Sequence, residues 1–416
     1  MKYKRIEKNG YTLHMIKTNN FKSIYVDLSF IIDSDKEKIT KMNFLNSLLT
    51  YSSKKYKTNR ELEIRKEELY SSSIEGYNYK MGNYFVSCLN LSCLNDKYTE
   101  KGNFDLSLDL LSEVLYKPNI VNKSFDDSSF NAIKLAMKND ILSVEEDGVK
   151  YSLVRMLDQM GDEKYSLHEF GYLKELDEIT KENICDFYNY FINNSHLDIT
   201  IVGDIDFIEI ENLITSKFKW KYKDIPKDII INHDSFNKEK TLCIDYPSTQ
   251  GKLSIGYKID KLTEFESNYV LPLYNIILGG DSESRLFKKV REKRSLCYFI
   301  YSNYDRKSNI FYISSGITKN NLDEVITLIK KETLDMSSNI SDKELERAKV
   351  NYIELLDRID DSLVQISSLY YQKELFNTEL INGRKNNINK ATKEDIYKLS
   401  NKIKIDTIYL LGGSND

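Results

Sequence analysis

The chain has 416 residues, of which 41% are hydrophobic and 30% are charged. A chain of this length and apolar content can bury more than one core, so we expect a folded globular protein with more than one domain. Its 60 basic and 64 acidic residues give a formal net charge of −4, and this near balance argues against a basic surface for nucleic acid or anionic lipid.

The N-terminal stretch MKYKRIEKNGYTLHMIKTNN has no apolar core of signal-peptide length, and no segment has the apolar length needed to span a bilayer. We therefore expect a cytoplasmic protein that makes no membrane contact. The cysteines are scattered, odd in number and without a C-x-x-C motif: Cys88, Cys93, Cys185, Cys243 and Cys297. This pattern favours neither a disulfide framework nor a cysteine zinc site.

In the first half of the chain, strand patterns come first and helical patterns follow. YTLHMIK (11–17) and SIYVDLSFII (23–32) alternate or run apolar as strands, and 39–52 and 59–72 have helical periodicity. NYFVSCLNLSCL (83–94) returns as a strand, and helices dominate 104–195.

The second half shows the same order of elements. TLCIDY and KLSIGYKI predict strands, 264–279 and 284–293 predict helices, CYFIYSNY and IFYISSGI predict a hairpin, and long helices are expected from 320 to 375. The pattern predicts an α+β fold of two similar halves, each a mostly antiparallel sheet covered on one face by helices.

An internal repeat supports the two halves. ITKENICDFYNYFINNSHLDITIVGDID at 179–206 is similar to ATKEDIYKLSNKIKIDTIYLLGGSND at 391–416. Thr180 and Thr392 are predicted helix N-caps in the two copies. The polar, Lys-rich stretch between the halves contains one of the four prolines, which favours a linker. We predict an N-terminal half over 1–218, a linker over 219–240 and a C-terminal half over 241–416.

The segment ILGGDSESRLFKKVREKRSLCYFIYSNYD (277–305) has a glycine-rich helix start followed by a basic helix with Arg285, Arg291 and Arg294. The free N–H groups of such a helix start can hold an anion. The segment lacks G-K-[ST], so a phosphate loop is disfavoured and a solvated basic helix is the simpler interpretation.

The same segment resembles the C-terminal half of the pitrilysin/insulinase-type zinc peptidases, the inverted zincins, in their short bacterial and processing-peptidase-like form. Arg291 and Tyr298 fall where that family keeps an Arg/Tyr pair. The resemblance covers essentially the whole chain, because it includes the two-half repeat, the VGDID strand end at 202–206 and the KKYKT segment at 54–58.

In catalytically complete relatives, the helix before KKYKT carries H-x-x-E-H. Two histidines at i and i+4 share a helix face and grip zinc, while the glutamate activates the bound water. Here the aligned residues are Asn43, Asn46 and Ser47, and the counterpart of the third ligand, a glutamate, is Asp140 or Asn139. The resemblance therefore implies a degenerate metal position, and we expect no catalytic zinc and no cofactor in this chain.

The remaining histidines offer no substitute site. His14, His168, His196 and His233 form no i, i+4 pair, and hydrogen-bonded or exposed structural histidines are the expected interpretation. Glu145, Glu146 and Asp147 are interpreted as a solvated helix end.

Homologous chains of the resembled family pair, and one chain can carry zinc while the other supplies the Arg/Tyr pair. The resemblance thus implies a non-catalytic, substrate-positioning subunit that offers Arg291 and Tyr298 in trans to zinc on a homologous H-x-x-E-H partner acting on peptides. The glycine loop, with Gly279, Gly280, Ser282 and Ser284, resembles a flexible chamber-side loop of the relatives, so we predict that it meets substrate. Local chemistry alone leaves Arg291 as a favourable charge at a helix end and Tyr298 as a packed strand aromatic. The alternative function is a structural or binding protein on the same fold, without a role in hydrolysis.

Overall fold

The computed structural model describes residues 1–416 except 9, 162–163, 222–223, 225, 234, 237, 247, 249 and 413–416. Up to residue 217 the elements are β1 (Lys2–Lys8), β2 (Tyr11–Lys17), β3 (Ser23–Asp33), α1 (Lys36–Tyr51), α2 (Asn59–Glu68), β4 (Ser73–Met81), β5 (Tyr84–Leu94), α3 (Asn103–Tyr116), β6 (Ile120–Val121), β7 (Ser124–Phe125), α4 (Asp127–Glu146), α5 (Gly148–Met160), α6 (Leu173–Asp177), α7 (Lys181–Asn194), β8 (His196–Gly203) and α8 (Phe207–Lys217).

The later elements are β9 (Lys240–Ile244), β10 (Gly251–Ile259), α9 (Leu271–Leu278), β11 (Cys297–Asp305), β12 (Ile310–Ile317), α10 (Leu322–Asp335), α11 (Asp342–Asp357), α12 (Leu363–Phe376), α13 (Ile381–Lys390), α14 (Lys393–Ser400) and β13 (Ile403–Leu411). Two π-helical turns, Glu266–Val270 and Phe287–Glu292, adjoin α9 and precede β11 respectively. No helix in the described part of the chain is both long and apolar enough to cross a membrane.

The repeated helix starts form as the sequence predicts. The Thr180 side chain accepts a hydrogen bond from the backbone of Asn183, and the Thr392 side chain accepts one from the backbone of Asp395. In each case the third residue of the helix also bonds back to the cap, which completes a capping box. The predicted N-caps are confirmed.

The first compact unit comprises Met1–Leu142, His168–Asp228 and Ile359–Asn377. Its sheet has the order β1-β2-β8-β3-β5-β4, and only β2 and β8 pair in parallel. On one face of β3, apolar side chains such as those of Val26, Leu28 and Phe30 are fully buried, and α1, α3 and α7 supply the helical layer there. On the opposite face, α12 lies against β2, β3 and β8.

The second compact unit comprises Ser143–Leu167, Ile229–Arg358 and Thr378–Asp416. Its sheet has the order β11-β12-β10-β13-β9, with β9 and β13 parallel. The main core of this unit joins that sheet to α9, α10, α11 and α14. On the other face α5 packs against β10 and β13 through Met156 and Met160.

The α+β prediction is confirmed, and the structure adds one helix on the second face of each sheet. The predicted linker contains the passage from the first unit to the second at residues 228 and 229, although 222–223, 225, 234 and 237 lie outside the described residues. The two units are not divided at one point in the sequence, because residues 143–167 belong to the second unit and residues 359–377 belong to the first. The local periodicity of a helix does not indicate which sheet the helix packs against.

Candidate functional site

Asn46, which the resemblance aligns with the catalytic glutamate of complete relatives, is buried in the first unit. Its side chain is 2% exposed and points from α1 toward β4 and β5. Asn46 Nδ2 donates to Asn78 Oδ1 at 2.9 Å, to Ser87 Oγ at 2.8 Å and to the Cys88 carbonyl at 3.2 Å. The amide therefore fastens the helix to the sheet.

The fit around this side chain is tight. A Cβ added at Gly76 would lie 1.8 Å from Asn46 Oδ1, so only glycine lets β4 pass this close. Asn46 Oδ1 is buried and has no hydrogen-bond partner among the described residues. A glutamate is one methylene longer and charged, and neutral amide and hydroxyl groups surround this position.

Asn43, which the resemblance aligns with the first histidine of H-x-x-E-H, joins the same cluster. Asn78 Nδ2 donates to Asn43 Oδ1 at 2.8 Å, and Asn43 Nδ2 donates to the carbonyls of Ile39 at 3.0 Å and Glu169 at 2.8 Å. The bond to Glu169 ties α1 to the backbone before α6. We call Asn43, Asn46, Asn78 and Ser87 the amide cluster.

The two remaining predicted metal positions do not complete a site. Ser47 is exposed, and its hydroxyl donates to the Asn43 carbonyl of its own helix at 3.1 Å. Asp140 and Asn139 both lie on the exposed side of α4. Over the described residues, no group of three or more His, Cys, Asp and Glu side chains could hold a metal ion. Because Asn43, Asn46 and Ser47 are neutral and their side chains are already engaged in hydrogen bonds, these positions do not fit zinc.

Each histidine has a hydrogen-bond or ring-stacking partner within its own unit, as expected for structural residues. In the first unit, His14 Nδ1 lies 2.8 Å from the Tyr3 hydroxyl and His196 Nε2 lies 2.9 Å from Asp198 Oδ2. In the second unit, His233 Nε2 lies 3.0 Å from the Ser308 carbonyl. His168 stacks on the ring of Tyr172, with centroids 4.7 Å apart.

The sheet face beneath α12 contains buried charged groups that sequence reasoning missed. Burial by itself would raise the pKa of Asp198, but the imidazoles of His196, at 2.9 Å, and of His14, at 3.7 Å, outweigh burial and hold this pKa at about 2. Burial raises the pKa of Asp27 to about 7, opposed only in part by Ser29 and Tyr77. The signal was present in β3, where Asp27 and Ser29 alternate with apolar residues.

The predicted Arg/Tyr pair lies in the second unit, and both side chains are exposed. Arg291 occupies the π-helical turn Phe287–Glu292, and its guanidinium lies 4.6 Å from the centroid of the Phe287 ring. The chain leaves the turn through Ser295, which has φ of +53° and donates its N–H to the Arg291 carbonyl at 3.0 Å.

Tyr298 is the extra residue of a β-bulge in the edge strand β11. Cys297 pairs with Ile317 and Phe299 pairs with Gly316, so no residue of β12 lies opposite Tyr298. A bulge redirects a side chain that regular alternation would place elsewhere. The Tyr298 side chain is 55% exposed, so its phenol is accessible from solvent and is not a packed strand aromatic.

The glycine loop divides into supported and exposed positions. The backbone of Ser302 donates to the Gly279 carbonyl at 2.9 Å, and a Cβ added at Gly279 would lie 2.6 Å from Ser302 Oγ. Ser284 is fully buried, and its hydroxyl donates to the Asp281 carbonyl at 2.6 Å. Gly279 and Ser284 therefore shape the loop.

Gly280 and Ser282 are the exposed members of the predicted substrate-binding set. The residue between them, Asp281, accepts hydrogen bonds from Arg347 at 2.6 Å and Asn351 at 2.9 Å on α11. The loop is thus held against a helix, and substrate contact by its exposed members stays a prediction.

The chain is similar to known proteins of the peptidase M16 type. Residues 178–352 match the family model described as "Peptidase M16 inactive domain". A protein named "Probable inactive metalloprotease YmfF" from Bacillus subtilis is 29% identical over 413 residues, covering 97% of this chain and 96% of that protein.

Solved structures show the same fold. A conserved protein from Enterococcus faecalis V583 superposes with a TM-score of 0.91 at 24% identity, covering 100% of both chains. The structure titled as a peptidase M16 inactive domain from Pseudomonas fluorescens gives a TM-score of 0.80 at 18% identity, covering 100% of this chain and 98% of that one.

The two-unit fold is that of M16 peptidase-like structures, and among the described residues no group of three or more His, Cys, Asp and Glu side chains could hold a metal ion. The family resemblance drawn from the sequence is confirmed, because the chain is similar to M16 peptidase-type proteins whose names describe them as inactive.

Proposed function

We propose that this chain is the substrate-positioning subunit of a two-chain zinc peptidase acting on oligopeptides or unstructured peptides. Its partner is a homologous chain that carries H-x-x-E-H and zinc, and this chain offers Arg291 and Tyr298 to that site. The observation that carries the proposal is the bulge in β11, which leaves the Tyr298 phenol exposed on an edge strand.

The amide cluster supports the division of labour. In this chain the polar residues of α1, the helix that would hold zinc, join it to β4 and to the backbone at Glu169. These contacts use the polar side chains of α1 for packing within the first unit. Arg291 and Tyr298 are both exposed, and the Arg291 guanidinium lies over the Phe287 ring of its own turn.

The chemistry of peptide hydrolysis explains why such a pair is useful. Zinc on the partner supplies the Lewis acid and the activated water. The scissile carbonyl oxygen gains negative charge in the transition state, and one donor aimed at it typically contributes ~10²–10³ in rate. Tyr298 is assigned as the donor to that oxygen or to the adjacent peptide backbone. Arg291 is assigned one of two roles: it binds a substrate carbonyl, or it orients Tyr298.

The test is co-expression with a homologue that contains H-x-x-E-H and is encoded by a neighbouring gene, followed by assay of each chain and of the mixture. We expect zinc in the partner, measured by elemental analysis, and cleavage of an unstructured fluorogenic peptide by the mixture. Tyr298→Phe and Arg291→Ala should lower the rate by ~10²-fold or more, as expected for loss of a transition-state donor, without loss of assembly by size-exclusion chromatography.

Matched controls come from the same elements. Tyr301 is also an exposed tyrosine of β11, and Arg294 lies next to the same turn with an ion pair to Glu324 at 2.7 Å. Tyr301→Phe and Arg294→Ala should leave cleavage near the wild-type rate. If Tyr298→Phe and Arg291→Ala behave like these controls, the assignment of the pair is wrong, and a binding protein without a role in hydrolysis becomes the better interpretation.

A further inference from the structure

The bulge in β11 changes the face of the sheet on which the following side chains lie. Cys297 and Ile300 both belong to the main apolar core of the second unit, although regular alternation would place residues three apart on opposite faces. The extra residue, Tyr298, lets both side chains enter the core, and it puts Phe299 on the face away from the core, opposite Gly316. The burial of these two core residues therefore requires the bulge that displaces Tyr298.

Ser315 of β12 supplies a hydrogen bond at the bulge. A bulge interrupts the regular ladder, so the backbone beside it needs other partners. The Ser315 hydroxyl donates to the Phe299 carbonyl at 2.9 Å, and the Ser315 side chain is 1% exposed. A backbone carbonyl that packing shields from water is unfavourable when it has no donor. The Ser315 hydroxyl therefore stabilises the bulged backbone directly after Tyr298.

Gly316 provides the space that the Phe299 ring needs beside the bulge. A Cβ added at Gly316 would lie 2.6 Å from Cε1 and 2.9 Å from Cδ1 of this ring. The ring therefore lies directly on the glycine backbone, an arrangement in which the aromatic side chain covers a strand glycine. The Phe299 ring also stacks on the ring of Tyr301, with centroids 6.0 Å apart, and Lys252 Nζ lies 5.8 Å from its centroid. These contacts fix the position of the residue that follows Tyr298.

The chain before Tyr298 is tied to the turn that carries Arg291. The Leu296 N–H donates to the Val290 carbonyl at 3.2 Å. Burial raises the pKa of the Cys297 thiol, and the nearby charge of Arg291 opposes burial in part. Arg291 is thus close to the residue that precedes Tyr298, so a change in the bulge would alter the relation between the two members of the pair.

We propose that Ser315 and Gly316 are positioning residues for Tyr298. Neither is assigned a contact with substrate. Ser315 stabilises the backbone of the bulge, and Gly316 lets the Phe299 ring lie on β12, so that β11 takes its extra residue at Tyr298 and does not pair regularly. The catalytic consequence rests on the proposed function, whereas the placement of Tyr298 is measured in the chain by itself.

The first test measures the environment of residue 298 in the full chain without a partner. Fluorotyrosine replaces Tyr298, and fluorine NMR follows its chemical shift and its relaxation by a soluble gadolinium chelate. In the otherwise wild-type chain the ring should be strongly relaxed, because the Tyr298 side chain is 55% exposed. Ser315→Ala should shift or split the signal and lower the relaxation by ~2-fold or more, the change in population that loss of one hydrogen bond produces. Gly316→Ala should act in the same direction, because the Phe299 ring is displaced and β11 then pairs regularly.

Ser314→Ala is the matched control for Ser315→Ala. Ser314 precedes Ser315 on β12 and is also 1% exposed, but its hydroxyl has no hydrogen-bond partner among the described residues. It lies opposite Tyr301, beyond the bulge, so its replacement should leave the fluorotyrosine signal unchanged. Adding Phe299→Ala to Gly316→Ala should restore the relaxation to that of Phe299→Ala alone, because the new Cβ then meets no ring.

The second test assays the same variants, with the native Tyr298, in the mixture with the H-x-x-E-H homologue. Ser315→Ala and Gly316→Ala should lower kcat by ~10-fold or more, because displacement of a catalytic group by about 1 Å costs up to ~10²-fold. KM should change less, since the positioned group acts mainly in the transition state. Ser314→Ala should cleave at the wild-type rate. Thermal unfolding followed by circular dichroism checks that each variant is folded.

The two tests separate the positioning role from the proposed function. An unchanged fluorotyrosine signal in Ser315→Ala and Gly316→Ala, or an equal change in Ser314→Ala, would overturn the positioning role whatever the kinetics show. The role is also overturned if Tyr298→Phe slows cleavage and the two β12 variants do not. If the signal responds as expected but Tyr298→Phe leaves cleavage unaltered, the positioning role stands and the proposed function is wrong.

Discussion

Replacement of Asn46 by alanine tests whether the amide cluster is structural. The substitution removes the three hydrogen bonds from Asn46 Nδ2 to Asn78, Ser87 and Cys88. It also leaves the buried Ser87 hydroxyl and the Cys88 carbonyl without this donor. Each neutral hydrogen bond contributes about 0.5–1.5 kcal/mol net, and an unpaired buried group costs about 1–3 kcal/mol. We expect the first unit to lose about 2–4 kcal/mol.

The chain provides its own reporter for this measurement. Its single tryptophan, Trp220, is buried in the first unit, where it packs on Phe30 and Phe191 with ring centroids 5.1 and 5.9 Å apart. Tryptophan fluorescence during urea unfolding therefore follows this unit, and a change in midpoint at constant slope gives the change in free energy of unfolding.

Ser47→Ala is the matched control for Asn46→Ala. Ser47 lies on the same helix but is exposed, and its hydroxyl donates to the Asn43 backbone carbonyl one turn earlier. Its replacement should change stability by about 0.5 kcal/mol or less. The reasoning is refuted if Asn46→Ala costs no more than Ser47→Ala.

Three further changes follow from the same contacts. Gly76→Ala should destabilise the first unit by more than about 2 kcal/mol, and by clearly less in an Asn46→Ala background, because the added Cβ would lie 1.8 Å from Asn46 Oδ1; a double-mutant cycle with equal costs in both backgrounds would contradict this. The pKa of Asp27 rises from 3.8 to about 7 on folding, so its contribution to stability is complete below pH 4 and is lost as the pH rises toward 7, by as much as roughly 4 kcal/mol. The free energy of unfolding of Asp27→Asn, relative to that of the wild type, should therefore be larger at pH 8 than at pH 4. Parallel pH profiles of stability for the two proteins would contradict this. The isolated chain should carry well under one equivalent of zinc after dialysis. Stoichiometric zinc in elemental analysis would show that the chain has a metal site that the amide cluster does not explain.

Much of the scaffold follows from local patterns. Alternation in the segments of β3, β5 and β10 predicts strands because neighbouring side chains point to opposite faces of a sheet. Thr180 and Thr392 predict helix starts because each meets the free N–H groups within its own helix. These signals act over four to ten residues, and the fold realises them largely as expected.

The exchange of helices between units was not predictable in this way. Residues 143–167 and 359–377 have ordinary helical patterns, but the first packs with the second sheet and the second with the first. Nothing local distinguishes the two docking faces, since an amphipathic helix buries its apolar side equally well on either sheet. The same limit explains why the polar face under α12 was missed, with Asp27 and Asp198 buried by a helix more than 150 residues later in the chain.

The amino-acid sequence alone determined that Asn43, Asn46 and Ser47 occupy the segment that the resemblance aligns with H-x-x-E-H, and that none of them is an imidazole or a carboxylate, because the chemical identity of a side chain does not depend on its surroundings. Only the tertiary structure decided what those residues do instead and where the remaining pair is presented. The amide cluster forms because β4 passes α1 at Gly76, and Tyr298 faces solvent because β11 gains one residue relative to β12. Both outcomes depend on how segments distant in sequence pack and pair, which the local pattern does not specify.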